Sequence, residues 1–179
     1  MKKAENIRTK IDWLYVSAVF LLGSLLGWVW ETLFFAIRMG NFVNRGFLFG
    51  PWLPIYGVGC VFIYLLKKLF KNNLFLLFSV SALVCAIIEY GTSWILEKVY
   101  HKRWWSYEGL PFNLHGRIYL GGIFAFSYVG CLVAFILFPY YEKLLDKIPR
   151  RTLWIANVLI IACICLDFGI TLFRMHSGQ

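Results

Sequence analysis

Five apolar stretches, each about 20 residues or longer, fill most of this chain, and at a helical rise of about 1.5 Å per residue each can cross a hydrocarbon core of about 30 Å. They run from Trp13 to Ile37, Phe47 to Leu66, Leu74 to Leu96, Ile118 to Tyr141 and Thr152 to Phe173. Inside a bilayer no water reaches the backbone amides, so such stretches must satisfy them internally, as helices do. The expected fold class is all-α: an integral membrane helical bundle of about five transmembrane helices, with a re-entrant or interfacial loop between the first two. Spans and short connections consume the 179 residues. That points to a single transmembrane domain over residues 1–179, with a basic N-terminal tail (1–12) and a C-terminal tail (174–179). The first apolar run is too long for a signal-peptide core and lacks a small-residue cleavage pattern after it, so it is expected to be retained.

A content of 60% hydrophobic and 15% charged residues argues against a soluble globular domain. The net charge of +9 does not point to a nucleic-acid partner, because the basic residues gather at span ends and not along one face. They read instead as topology. Eleven of the 18 Lys and Arg fall at the N-terminus (Lys2, Lys3, Arg8, Lys10), in the second connection (Lys67, Lys68, Lys71) and in the fourth (Lys143, Lys147, Arg150, Arg151). The positive-inside rule places that side, and with it the N-terminus, in the cytoplasm. The cysteines Cys60, Cys85, Cys131, Cys163 and Cys165 all lie within spans, where they serve as small packing residues. No disulfide framework, metal or other cofactor is expected.

Three acids interrupt three separate spans: Glu31, Glu89 and Asp167. A carboxylate there is expensive unless something uses it. The first, third and fifth spans run in one direction, and the acids come 19 residues after Asp12, 15 after Leu74 and 15 after Thr152. These offsets put all three at depths of about 22 to 28 Å, in the far half of the membrane. Gly23, Gly27 and Glu31 follow at intervals of four, as do Ser81, Cys85, Glu89, Ser93 and Glu97. Stripes of that kind face protein or water, not lipid. Either they let helices pack closely around salt-bridged acids, or they line a polar cavity.

The two far-side connections carry the remaining polar content. In Asn44 to Gly57 (N-R-G-F-L-F-G-P-W-L-P-I-Y-G) the residues Gly46, Gly50, Pro51 and Pro54 oppose a regular helix, Arg45 can answer Glu31 or Glu89, and free amides near the start of the second span could meet an anion. The stretch from His101 to Arg117 combines basic residues with Trp104, Trp105 and Tyr107, a pairing that suits a headgroup belt or a lid over a polar site. Arg117 is expected to pair with Glu89. His101 and His115 lack the spacing of a metal pair. The substrate-binding candidates are Glu31, Asn44, Arg45, Glu89, Glu97, Trp105, Asn113, His115, Arg117 and Asp167; no catalytic residue is assigned.

The phrases G-W-V-W-E (Gly27 to Glu31), N-R-G-F-L-F-G-P-W-L-P-I-Y-G (Asn44 to Gly57), E-Y-G-T-S-W-I-L-E (Glu89 to Glu97) and W-W-S-Y-E-G-L-P-F-N-L-H-G-R-I (Trp104 to Ile118) resemble the motifs of the bacterial family labelled "putative ABC-transporter permease, type IV". The resemblance runs from Gly27 to about Gly122. It implies a multi-pass protein of the bacterial plasma membrane with a transport role. No G-x-x-x-x-G-K-[ST] occurs in the chain, so ATP binding by a P-loop would fall to a separate ATPase or energising subunit. Three functional classes are open at this point: a transport subunit (permease or substrate-binding membrane component) with a carboxylate/arginine site in the outer half of the bilayer, a membrane-embedded enzyme acting on a lipid headgroup or lipid-linked substrate, and an assembly or regulatory membrane protein. The first is preferred, which makes a non-enzyme the preferred reading. The partners it implies are the lipid bilayer, an ATPase subunit and, as a further option, copies of the same chain.

Overall fold

The computed structural model describes residues 11–70 and 73–177, the side chains of 175–177 excepted. Lys2, Lys3, Arg8, Lys10 and Lys71, on which part of the charge asymmetry rests, lie outside the described residues.

Five helices are present among them: α1 (Trp13–Met39), α2 (Pro54–Phe70), α3 (Leu74–Tyr100), α4 (Leu120–Leu145) and α5 (Arg150–Ser177). Four of these, α1, α3, α4 and α5, are long and apolar enough to cross a membrane. The expected second span is shorter. It begins not at Phe47 but at Pro54 and runs for 17 residues, about 25 Å. Proline, with its fixed φ and missing N–H, is at home in the first helical position and obstructs a helix that would start earlier. The other starts are set by side chains: Asp12 accepts the Leu14 N–H at 3.1 Å, and Asn73 accepts that of Leu76 at 3.0 Å. Gly40 ends α1 and His101 ends α3, both in the left-handed region.

Two features depart from a purely α-helical reading. The His101–Arg117 connection folds into a short antiparallel ribbon, β1 (Asn113–Leu114) against β2 (Ile118–Tyr119). Within α4, Val133–Leu137 winds as a π turn. Such a turn shifts the main-chain bonding, and the Lys67 ammonium at the end of α2 donates to the Ala134 carbonyl there.

The chain forms two compact units. In the first, residues up to Val61 join those from Glu142 onward, and α1 packs on α5. Asn157 of α5 donates to the Leu14 carbonyl at 3.0 Å and the Ser17 hydroxyl at 2.8 Å, so its amide is satisfied inside the apolar contact. Leu21, Leu48 and Ile164 form a buried cluster with Phe20, Phe47, Trp52, Ile160 and Ile161 around it, which seats the Gly40–Leu53 loop on the helices. In the second unit, Phe62–Tyr141, α3 packs on α4. Tyr64 and Phe138 meet edge to face at 5.3 Å, both fully buried. Elsewhere the span helices expose large apolar side chains such as Trp30, Leu83, Ile136 and Leu166. That is a surface suited to lipid.

Candidate functional site

The first unit gathers Glu31, Asn44, Arg45 and Asp167 around the loop between α1 and α2. Gly27 makes room for the Tyr56 ring: a Cβ at that position would stand 2.3 Å from Tyr56 Cγ. Lying across α1, Tyr56 donates its hydroxyl to Glu31 Oε1 at 2.6 Å. Arg45 Nε stands 3.9 Å from Glu31 Oε2, an ion pair beyond hydrogen-bond reach, while the guanidinium lies 3.7 Å over the Phe35 ring. Of the two acids Arg45 could answer, it answers Glu31.

The other two candidates hold the loop. Asp167 of α5 accepts the Phe49 N–H on Oδ1 at 3.1 Å and the Gly50 N–H on Oδ2 at 2.8 Å. The loop amides therefore do meet an anion, and it belongs to the chain itself. Asn44 accepts from Trp28 Nε1 at 2.5 Å and donates to the Phe49 carbonyl at 2.7 Å. Asp167 and the Asn44 amide N–H thus serve a broken backbone that could not stand unsatisfied near a bilayer.

In the second unit the stripe on α3 meets the ribbon loop. Ser81 and Ser93 are buried, and Cys85, Glu89 and Glu97 are half-buried, whereas Leu83, Ile87, Trp94 and Ile95 point outward. Tyr107 donates to Glu89 Oε1 at 2.8 Å. Arg117 does not pair with Glu89, as expected from the sequence, but with Glu97, two turns further along the helix; its Nη1 also meets the Ser93 hydroxyl at 3.3 Å. Arg103 grips Glu97 from the other side at 3.3 Å and reaches Glu108 as well. Its hydrogen bonds to the Glu97 carboxylate hold the Arg103 guanidinium further above its already high value, so it is a fixed cation.

The remaining candidates shape this loop. Trp105 Nε1 donates to the Arg117 carbonyl at 3.1 Å. Asn113 closes the ribbon turn, donating to the Leu110 carbonyl at 2.7 Å and accepting the Gly116 N–H at 3.0 Å. His115 Nδ1 lies 3.0 Å from the Tyr90 hydroxyl. A cavity of about 310 Å³ opens where α3 ends, lined by Glu97, Lys98, His101 and Arg117.

Sequence reasoning left Tyr56, Tyr107 and Arg103 out of the candidate set. Each is the polar partner of a charged residue inside it. Their signal was present in weak form: a tyrosine or arginine placed in a far-side loop or at a span end, where a membrane carboxylate needs a donor.

Residues 18–172 match the family model described as "Putative ABC-transporter type IV". No curated protein and no solved structure matches the chain.

Proposed function

The chain belongs to the family described as "Putative ABC-transporter type IV", and on that premise we propose that it is the membrane component of a transporter, a permease or substrate-binding subunit, energised by a separate ATPase. Four apolar span-length helices make it a multi-pass membrane protein. In this reading the plasma membrane houses it, α2 completes a five-span transmembrane domain over residues 1–179, and the N-terminus is cytoplasmic. The substrate meets the carboxylate/arginine cluster at the end of α3, on the external side, while the Glu31, Arg45 and Asp167 contacts fix the loop of the first unit.

The observation that carries the reading is the Arg117–Glu97–Arg103 cluster beside an open cavity. Arg103 divides itself between Glu97 and Glu108, and Arg117 and Lys98 set two cations against the one carboxylate of Glu97 in the lining of a space a solute can enter. Affinity purification of the tagged chain from its native membrane tests the partner: a P-loop ATPase should co-purify, and ATP should drive solute uptake by vesicles holding both. If no ATPase accompanies the chain under mild solubilisation, the transport reading falls.

A further inference from the structure

Arginine offers five N–H donors in a rigid fork that suits the oxygens of a carboxylate or phosphate. Arg117 hydrogen-bonds through Nη1 alone, to Glu97 and Ser93, and its guanidinium lies 5.7 Å over the Tyr90 ring. Its Nε is covered by the protein, whereas Nη2 makes no hydrogen bond among the described residues. The side chain is just 12% exposed. The same guanidinium lines the cavity of about 310 Å³.

The surrounding charge settles which kind of group suits that cavity. Glu97 is already held by two arginines, so its charge is spent within the cluster. Glu108 is bound to Arg103 and is 70% exposed. Against these two carboxylates stand three cations, Arg103, Arg117 and Lys98, with His101 at the rim. The C-terminal end of α3 favours cations, which accounts for Lys98 and Arg103. It does not account for Arg117, which arrives from the ribbon loop and meets Glu97 through Nη1 alone.

We propose that the cavity at the end of α3 binds an oxyanion, a carboxylate or phosphate group, through the outer part of the Arg117 guanidinium, with Lys98 and His101 completing its lining. This rests on the reading of that cluster as the substrate contact, and it narrows the substrate class to anions. A free solute and the phosphodiester of a lipid headgroup present the same chemistry.

The test uses the full chain in phosphatidylcholine nanodiscs titrated with radiolabelled inorganic phosphate at constant ionic strength. Saturable binding is expected, and Arg117→Lys, which keeps the charge near Glu97 but loses the fork, should weaken it about tenfold to a hundredfold. A second readout does not depend on that variant folding: in a cysteine-free background, His101→Cys should react more slowly with a thiol reagent when phosphate is present. Nanodiscs containing phosphatidylglycerol separate the two sources, since a headgroup ligand would compete with phosphate and a free solute would leave phosphate binding unchanged. Absence of saturable phosphate binding, or binding indifferent to Arg117→Lys, overturns the proposal. An ATPase that co-purifies while phosphate fails to bind leaves the transport reading standing without this one; the reverse pattern removes transport and leaves the anion site.

Discussion

Tyr56 donates its phenolic hydrogen to Glu31 at 2.6 Å, across a groove that exists because residue 27 is glycine. The sequence interval of four between Gly27 and Glu31 is what lets one aromatic ring fill the notch at the first and hydrogen-bond the second.

The first prediction follows from that fit. Gly27→Ala forces a Cβ against the Tyr56 ring and should cost about 1 to 3 kcal/mol of stability by overpacking. In a Tyr56→Ala background the same change should cost far less, because the two share one space. Thermal unfolding of the four proteins of this cycle in detergent measures the coupling. Additive losses would mean that the ring does not occupy the groove.

Asp167 supports a second prediction. One carboxylate oxygen serves each of two consecutive amides, Phe49 and Gly50, and a bond to a charged acceptor is worth about 1.5 to 3 kcal/mol. Asp167→Asn keeps one acceptor and turns a donor toward the other amide. Hydrogen exchange at Phe49 and Gly50 should speed up by about tenfold or more, while amides in the middle of α1 stay protected. Unchanged exchange at both would show that α5 does not hold the loop.

Much of this arrangement could be read from the chain, and the parts that could not share a cause. The starts of α1 and α3 at Trp13 and Leu74 are where the apolar stretches begin, because a bilayer makes length and hydropathy nearly sufficient. The stripes through Glu31 and Glu89 follow from helical spacing alone. The true start of α2 was obscured by apolar residues such as Phe47, Leu48 and Leu53, which are buried in the loop or packed on its core without being helical. Partner choice was the least legible. Arg117 can reach either Glu89 or Glu97 on the same face of α3, and a ribbon turn of a few residues decides between them. Asp167 finds its amides 117 and 118 residues away, a distance over which spacing carries no information.

A third prediction concerns the pair that the ribbon selects. Arg117 is mostly buried and Glu97 half-buried, so removing the arginine leaves the carboxylate partly uncompensated, whereas a neutral pair can be tolerated. Arg117→Gln should lower the unfolding temperature, and adding Glu97→Gln should restore part of the loss, while adding Glu89→Gln should restore none. Because Arg103 keeps its own hold on Glu97, the rescue will be incomplete. Rescue by Glu89→Gln instead would show that the loop is misassigned.

Lys67 gives a fourth. Its ammonium serves the Ala134 carbonyl in the π turn and lies 5.5 Å over the Phe135 ring. Lys67→Met keeps the stem but strands that carbonyl, at about 1 to 3 kcal/mol. Lys68→Met, whose ammonium lies 4.6 Å over the Tyr64 ring, should cost less, since a cation–π contact near a surface contributes about 0.5 to 1 kcal/mol. Equal losses would mean that the π turn does not depend on Lys67.

The fifth prediction is the orientation on which an external site depends. Asn41 follows the end of α1 and Glu108 lies in the ribbon loop; both are exposed. Each belongs to a connection that the charge asymmetry assigns to the outside, where 7 of the 18 basic residues fall. Single cysteines at the two positions, in a background lacking Cys60, Cys85, Cys131, Cys163 and Cys165, should react with a membrane-impermeant maleimide added to intact cells. A cysteine at Lys143, in the last turn of α4 beside the connection assigned to the cytoplasm, should react only after permeabilisation. The cluster around Arg117 is reached from the same loop as Glu108, so the label at Glu108 reports directly on the side from which an anion would enter. Labelling of Lys143→Cys in intact cells with protection of the other two would invert the topology. The cavity at the end of α3 would then open to the cytoplasm, and its ligand would have to be a cytoplasmic anion.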